Sequence, residues 1–231
     1  MPQHTVASFD QDLKKLSGLV NDMGTLVSAQ LGRTLAAMRQ RDVAMAESVI
    51  AGDTQIDTQC AEIESLVISY IAKRQPVAID LREIISTLKI STDLERAGDL
   101  AKSTAKRLIT IGGDAKLSGV AASFSTLGER VEEQLVNVLA AYANRDDKLA
   151  LDVWSGDVDI DMLHTSLFRE LLTYMMEDPR HIGYCAHLMF CAKNLERIGD
   201  HATNIAESVH YIISGQLISA ERPKGQSDSG I

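Results

Sequence analysis

Eight carboxylates recur in the sequence in a pattern that helix packing does not call for. Asp53 and Asp57 are four residues apart, as are Asp157 and Asp161, and Glu95–Asp99 and Glu196–Asp200 repeat the spacing. On a helix such residues stack over successive turns of one face, where like charges repel by about 0.2–0.5 kcal/mol per pair. At about 100° per residue, Glu95 and Asp99 point close to the direction of Leu88, and Glu196 and Asp200 close to that of Met189. Asp53 and Asp57 fall in the stripe of Ala46, Val49, Ile50 and Cys60, and Asp157 and Asp161 fall with Val153, Trp154 and His164. The acidic pairs therefore interrupt apolar stripes. If the helices carrying them are antiparallel neighbours, the pairs converge into two four-carboxylate clusters. An anion cluster without matched basic partners calls for a cation. Oxygen ligation suits magnesium, manganese, calcium or iron, and the absence of Cys and paired His ligands argues against structural zinc. The alternative is a solvated acidic patch inherited twice.

Charge removal separates two accounts of such a cluster. If the metal-free cluster is electrostatically frustrated, Asp53→Asn and Asp157→Asn raise the stability of the metal-free chain. If the carboxylates accept structural hydrogen bonds, the sign reverses, because removing them strands buried donors.

The elements that must position these residues are helices. Phe9, Leu13, Leu16, Val20, Met23, Val27, Leu31, Thr34 and Met38 advance by three or four throughout, which is the helical period. Only Pro76 and Pro179 lie within the body of the chain, so long helices are permitted. The chain also repeats itself. An offset of 104 aligns Arg41-Asp42 with Arg145-Asp146 and Gly52-Asp53 with Gly156-Asp157. It also aligns Ile56-Asp57 with Ile160-Asp161. After the prolines an offset of 101 lays Leu94–Asp99 (LERAGD) on Leu195–Asp200 (LERIGD). The predicted fold is all-α, a tandem duplication of an antiparallel three-helix bundle with six long helices. The helices are expected over 5–40, 43–74 and 77–110, then 117–144, 147–177 and 180–214. Asp42 and Asp146 are the expected N-caps of the second helix of each unit. Gly112-Gly113-Asp114 is the expected hinge, giving units 1–112 and 113–215 and a tail over 216–231.

Composition narrows the function classes. The 231 residues are 45% apolar and 24% charged, ordinary for a globular chain and too apolar for a disordered one. A net charge of −9 leaves no footprint for nucleic acid or an anionic membrane surface. Three cysteines without a CxxC spacing exclude a disulfide scaffold and fit a reducing compartment. There is no signal pattern and no apolar run long enough to span a bilayer, so a cytoplasmic protein without membrane insertion is expected.

Other residues carry weaker chemistry. Glu207–His210 matches the ExxH of ferritin-like di-iron bundles, but its repeat counterpart begins at Lys106. Glu64 continues the face of Asp53 and reads as surface, since Phe168 holds its place in the second unit. His201 follows Asp200 and could reach a metal there, whereas Leu100 stands at its repeat position. Arg96 and Arg197 either balance the carboxylates or pair on the surface. Cys185 and Cys191 read as small core residues. No phosphate-cradling Gly loop and no nucleophile motif occurs, so no catalytic residue is assigned.

The LERAGD and LERIGD segments, each preceded by GDxxID, resemble the PhoU family of phosphate-uptake regulators over the chain as far as about residue 214. The resemblance implies two three-helix bundles whose E(D)xxxD motifs hold multinuclear iron or zinc clusters in some members. It places Glu95 and Asp99 with Asp53 and Asp57 at one metal site, and Glu196 and Asp200 with Asp157 and Asp161 at the other. Iron, zinc, manganese and magnesium all remain open as the metal. The resemblance also implies a non-enzymatic negative regulator of phosphate uptake and phosphate-starvation signalling. Such a protein acts as an adaptor between the ATPase subunit of the phosphate ABC transporter and a sensor histidine kinase, and as a homodimer. The competing class is a metalloenzyme, a di-iron-type oxidase or a phosphohydrolase in which metals activate water. It needs His ligands or a general acid or base, and the sequence offers only the solitary ExxH.

Overall fold

The structure, a computed structural model, describes residues 3–112 and 118–219, with side chains from residue 11 onward and again from residue 120. Gly113 and Asp114 of the expected hinge, the tail beyond Ser219 and the side chain of Phe9 lie outside the described residues.

Three α-helices build the first unit and four build the second. α1 (Gln3–Gln40), α2 (Val43–Arg74) and α3 (Ile79–Ile111) form the first. α4 (Ser118–Asn144), α5 (Asp147–Ser155), α6 (Asp157–Glu177) and α7 (Ile182–Ser214) form the second, a 3-10 turn at Pro179–His181 leading into α7. α5 and α6 occupy the place of the single helix expected over 147–177. The break is one tightened turn, where the Gly156 N–H is shared between the carbonyls of Asp152 (3.1 Å) and Val153 (3.2 Å). None of these helices is long and apolar enough to cross a membrane.

The repeated Arg-Asp pairs make the same sharp turn twice. Arg41 and Arg145 adopt left-handed backbone, with φ of 57° and 53°. The following Asp42 and Asp146 N–H groups reach back to the carbonyls of Ala37 and Ala141, each at 3.0 Å. Their carboxylates then cap the next helix, accepting from Met45 N (2.9 Å) and Leu149 N (3.0 Å). Such caps contribute about 1 kcal/mol each and offset the strain of a non-glycine residue at positive φ.

The apolar stripe of α1 is buried as its spacing predicts: Leu16, Val20, Met23, Val27 and Leu31 are all closed to solvent. The two bundles do not keep separate cores. α3 and α7 lie side by side, α1 packs on α4, and one continuous apolar core runs through both units. The α1–α4 contact is reciprocal. A Cβ on Gly24 would collide with the Leu139 side chain, and one on Gly128 would lie 2.6 Å from Leu35 Cδ2. Both partners are related by the 104-residue offset, so the same knob fills the same hollow in each direction. Between α3 and α7, Asp93 Oδ1 takes His201 Nδ1 (2.8 Å) and Asn204 Nδ2 (3.3 Å), and Asn194 Nδ2 donates to Thr104 Oγ1 (3.2 Å).

Cys185 and Cys191 pack in this core as the sequence indicates. Burial raises both thiols, that of Cys191 to about 12, while Cys60 stays half-buried on α2. Since only thiolate reacts, a thiol reagent near neutral pH should label Cys60 slowly and Cys185 and Cys191 only after denaturation. Rapid native labelling of Cys191, counted by mass spectrometry, would contradict this packing.

Candidate metal centre

The site forms where α2 and α3 come close, and glycine permits the approach. A Cβ on Gly98 would lie 3.1 Å from Ile56 Cδ1, and one on Gly199 would lie 2.9 Å from Ile160 Cδ1. Those four residues are repeat-related, which gives the glycine of each LERxGD segment a packing role. Ile56 and Ile160 are closed to solvent, so their faces of α2 and α6 aim at the core. Three residues earlier, Asp53 and Asp157 are carried to the same depth, each 3% exposed.

The first unit brings three of its four expected carboxylates together. Asp53, Asp57 and Asp99 each offer an oxygen within 4.8 Å of the others. Glu95 lies one turn away on α3, paired with Arg96 at 3.5 Å. Burial, then the Asp99 charge, hold its carboxyl above the usual range; Arg96 opposes them and Asp57 and Asp53 add to them. In the second unit Asp157 and Asp161 lie on α6, and Glu196 and Asp200 on α7. Among the described residues, though, only the first set closes to that spacing.

Burial is also shallower than the stripes imply. Asp57 is exposed, and Glu95, Asp99, Asp161, Glu196 and Asp200 are half-buried. Leu88 and Met189, which defined the inward direction, are themselves half-buried, so that direction marks the rim of the core.

One premise of the sequence reading is corrected: the first cluster has a matched basic partner. Lys102 Nζ donates to Asp99 Oδ1 at 2.6 Å and to Asp53 Oδ2, bridging α3 to α2. Burial disfavours its charge, but the hydrogen bonds and charges of both carboxylates outweigh that and raise its pKa. Lys102 was legible as the residue three positions after Asp99, on the same helix face.

A buried glutamine in each unit completes the site. Gln30 Nε2 donates to Asp53 Oδ1 (2.9 Å) and Gly98 O (3.1 Å). Gln134, 104 positions on, donates from Nε2 to Thr203 Oγ1 (3.1 Å) and Val153 O (3.2 Å). The Thr203 hydroxyl sits 3.1 Å from both Asp157 Oδ1 and Gly199 O. Gln134 Oε1 and Glu196 Oε2 are buried without a hydrogen-bond partner, while Glu196 Oε1 accepts from Lys193 at 2.7 Å. The offset would have found both glutamines; their polar character on an inward stripe was the available signal.

Cys60 and His164 occupy equivalent positions beside the two sets. The Cys60 thiol is raised by burial, then by Glu95. Burial, then Lys193, lower the His164 imidazole, and Asp161 draws it back up. The remaining candidates face elsewhere. Glu207 accepts from Trp154 Nε1 (3.0 Å) and His210 Nδ1 meets Asp147 Oδ1 (2.6 Å), so both ExxH residues tie α5 to α7. His201, which could have reached a metal beside Asp200, is instead turned to Asp93 across the unit boundary. Arg96 pairs with Glu95, and Arg197 is exposed, as is Glu64.

The chain matches the family described as PhoU domain twice, over residues 20–108 and 124–209. It is 45% identical to a protein of Caulobacter vibrioides named phosphate-specific transport system accessory protein PhoU homolog, covering 97% of each chain. A protein of the same name from Rhizobium meliloti is 46% identical over 98% of this chain and 95% of its own. The crystal structure of PhoU from Pseudomonas aeruginosa superposes with a TM-score of 0.87 at 36% identity, over 90% of this chain and all of that one. That of the phosphate transport system regulatory protein PhoU from Streptococcus pneumoniae gives 0.84 at 27% identity, over 92% and 100%.

Proposed function

Because the chain belongs to the PhoU family, we propose that it is a regulatory accessory protein of phosphate uptake and catalyses no reaction of its own. The observation that carries this reading is likeness over nearly the whole chain to proteins named for that role, with neither chain leaving a large part unmatched. The finer reading is a negative regulator that docks on the ATPase subunit of a phosphate ABC transporter and on a sensor histidine kinase, as a homodimer. Rigid helices of more than thirty residues (α1, α2, α3 and α7) provide long faces for such docking. The charge of −9 favours basic patches on a partner.

Metal belongs to the same proposal. Asp53, Asp57 and Asp99 would hold a cation in the first unit, with Glu95 adjoining. In the second, the buried and unpartnered Glu196 Oε2 is an acceptor that a cation would satisfy, beside Asp157, Asp161 and Asp200. All eight are hard oxygen donors, suited to magnesium, manganese or iron, while the nearby Cys60 and His164 keep zinc within the set. A bound ion would supply positive charge that cancels the repulsion within each set. The metalloenzyme reading loses support, because Glu207 and His210 are spent on Trp154 and Asp147.

Deleting the gene should leave phosphate-starvation genes expressed at their starved level in phosphate-rich medium, and re-expression should silence them. The purified protein should also retain the ATPase subunit and the kinase in a pull-down. Joint alanine replacement of Glu95, Asp99, Glu196 and Asp200 should impair rescue if the carboxylates shape the docking face. Silence in the deletion strain would sink the regulatory reading. Turnover of a phosphate ester or of dioxygen by metal-loaded protein would reinstate the enzyme.

A further inference from the structure

The two units present different surfaces. Residues 1–112 hold 13 Lys and Arg against 14 Asp and Glu, a net charge of −1. Residues 113–231 hold 10 against 18, a net charge of −8, so nearly all the excess belongs to the second unit. Within that unit α6 carries Asp157, Asp159, Asp161, Glu170 and Glu177 against one basic residue, Arg169. The same helix exposes Met162, Phe168, Leu172 and Met176, and none of the four belongs to the apolar core. At about 100° per residue these four fall within an arc of about 120°, the last three on successive turns. By the same angles Asp159, Glu170 and Glu177 line one edge of that arc, about 60–80° beyond Met162. Met176 is 85% exposed, while Phe168 leans on the His164 ring with centroids 6.4 Å apart. The 104-residue offset puts Thr58, Glu64, Ile68 and Ala72 at the four positions on α2. Only Ile68 is a large apolar residue, so the shared bundle does not require the stripe.

We propose that the exposed stripe of α6 is a docking face for a basic amphipathic segment of a partner protein. That the partner is a regulatory one rests on the docking reading above. Methionine and aromatic side chains are enriched where protein surfaces meet, and methionine adapts to varied apolar shapes. A partner helix laid along α6 would set its apolar face on Phe168, Leu172 and Met176. Its lysines and arginines would then run along the edge that carries Glu170 and Glu177. Asp159, on the same edge, is already answered by Arg130 at 2.9 Å. A second copy is the poorer occupant, because a two-fold contact through α6 sets one strongly acidic unit against another. An anionic membrane surface is opposed by the same charge.

The test uses the full-length protein and an amphipathic peptide of about 18 leucines and lysines, with a scrambled peptide of equal composition as control. Wild type should bind the amphipathic probe about tenfold or more tightly than its scramble. Met162→Thr/Phe168→Glu/Met176→Ala copies the first unit onto α6. It makes the helix more acidic, so charge alone would tighten binding, whereas lost apolar anchors should weaken it about tenfold or more. Met162→Thr/Met176→Ala touches only chains that are more than half exposed, so it keeps its fold and should weaken binding about threefold. Glu170→Gln/Glu177→Gln should weaken it about threefold at low salt and less at high salt. Ile68→Ala, at the equivalent of Leu172 on α2, should change nothing. A transporter ATPase subunit or kinase retained by wild type should be lost by the triple variant. The proposal is overturned if the probe binds no better than its scramble, or if the triple variant binds it as tightly as wild type. It is also overturned if Ile68→Ala weakens binding as much, or if a retained partner stays on the triple variant. A triple variant that dissociates a dimer without weakening the probe overturns it in favour of a second copy. If wild type holds the probe through α6 but retains neither partner, the face stands and the docking reading above fails.

Discussion

Gly128→Val should lower the melting temperature by roughly 4–12 °C, about 2–3 kcal/mol for a chain of this length, without changing the helix content of the folded protein. A Cβ there lies 2.6 Å from Leu35 Cδ2, and Leu35 is itself buried between α1 and α4. Valine adds two further methyl groups to a contact with no room for one, so the helices must part or Leu35 must leave its rotamer. Gly24→Val, against the half-buried Leu139, should act the same way with a smaller effect, because that leucine has an outlet to solvent. A compensating double variant is informative. Leu35→Ala alone opens a cavity, as does any large-to-small change in a core. Combined with Gly128→Val, the two should cost clearly less than their sum, since each fills or vacates the same space. Additive losses would mean that α1 and α4 do not meet through this contact.

Asp53→Asn should destabilise the metal-free protein by about 2–4 kcal/mol, the reverse of what frustrated carboxylates would do. The carboxylate accepts from Gln30 Nε2 at 2.9 Å and from Lys102, and it is almost wholly buried. An asparagine keeps one acceptor for Gln30 but turns either its amide or its lone carbonyl toward an ammonium that needs an anion. Asp157→Asn should keep its contact with the Thr203 hydroxyl, which can rotate to accept from the new amide, so this contact adds nothing to its cost. Thermal melts in chelator read both. A rise in stability for Asp53→Asn would restore the frustrated account and leave Lys102 without a structural role.

These expectations depend on very different amounts of information. The repeat, the helices and the turns between them are local or self-similar properties, so they were legible before any packing was known. Asp42 and Asp146 cap because a carboxylate two or three residues from free N–H groups has those donors within reach whatever the rest of the chain does. The stripe of α1 is buried as read, since one apolar face of a long helix has a single direction in which to escape water. The depth of Asp53 and Asp157 followed as well, because they lie three residues from Ile56 and Ile160.

What lies across a gap between helices was not legible. Periodicity gives a residue's angle about its own axis and says nothing of how far a neighbour is shifted along its axis. That shift decided that Asp99 meets Asp53 and Asp57 while Glu95, on the same face of α3, does not. It also decided that Lys102 reaches across to Asp53, turning an apparent excess of anions into a bridged set. The two units share every motif carboxylate, yet among the described residues only the first set closes to metal-ligand spacing. The merged core and the Gly–Leu exchange between α1 and α4 likewise belong to the tertiary structure. A glycine on a helix announces permission for close approach, but only the packed partner determines which side chain uses it.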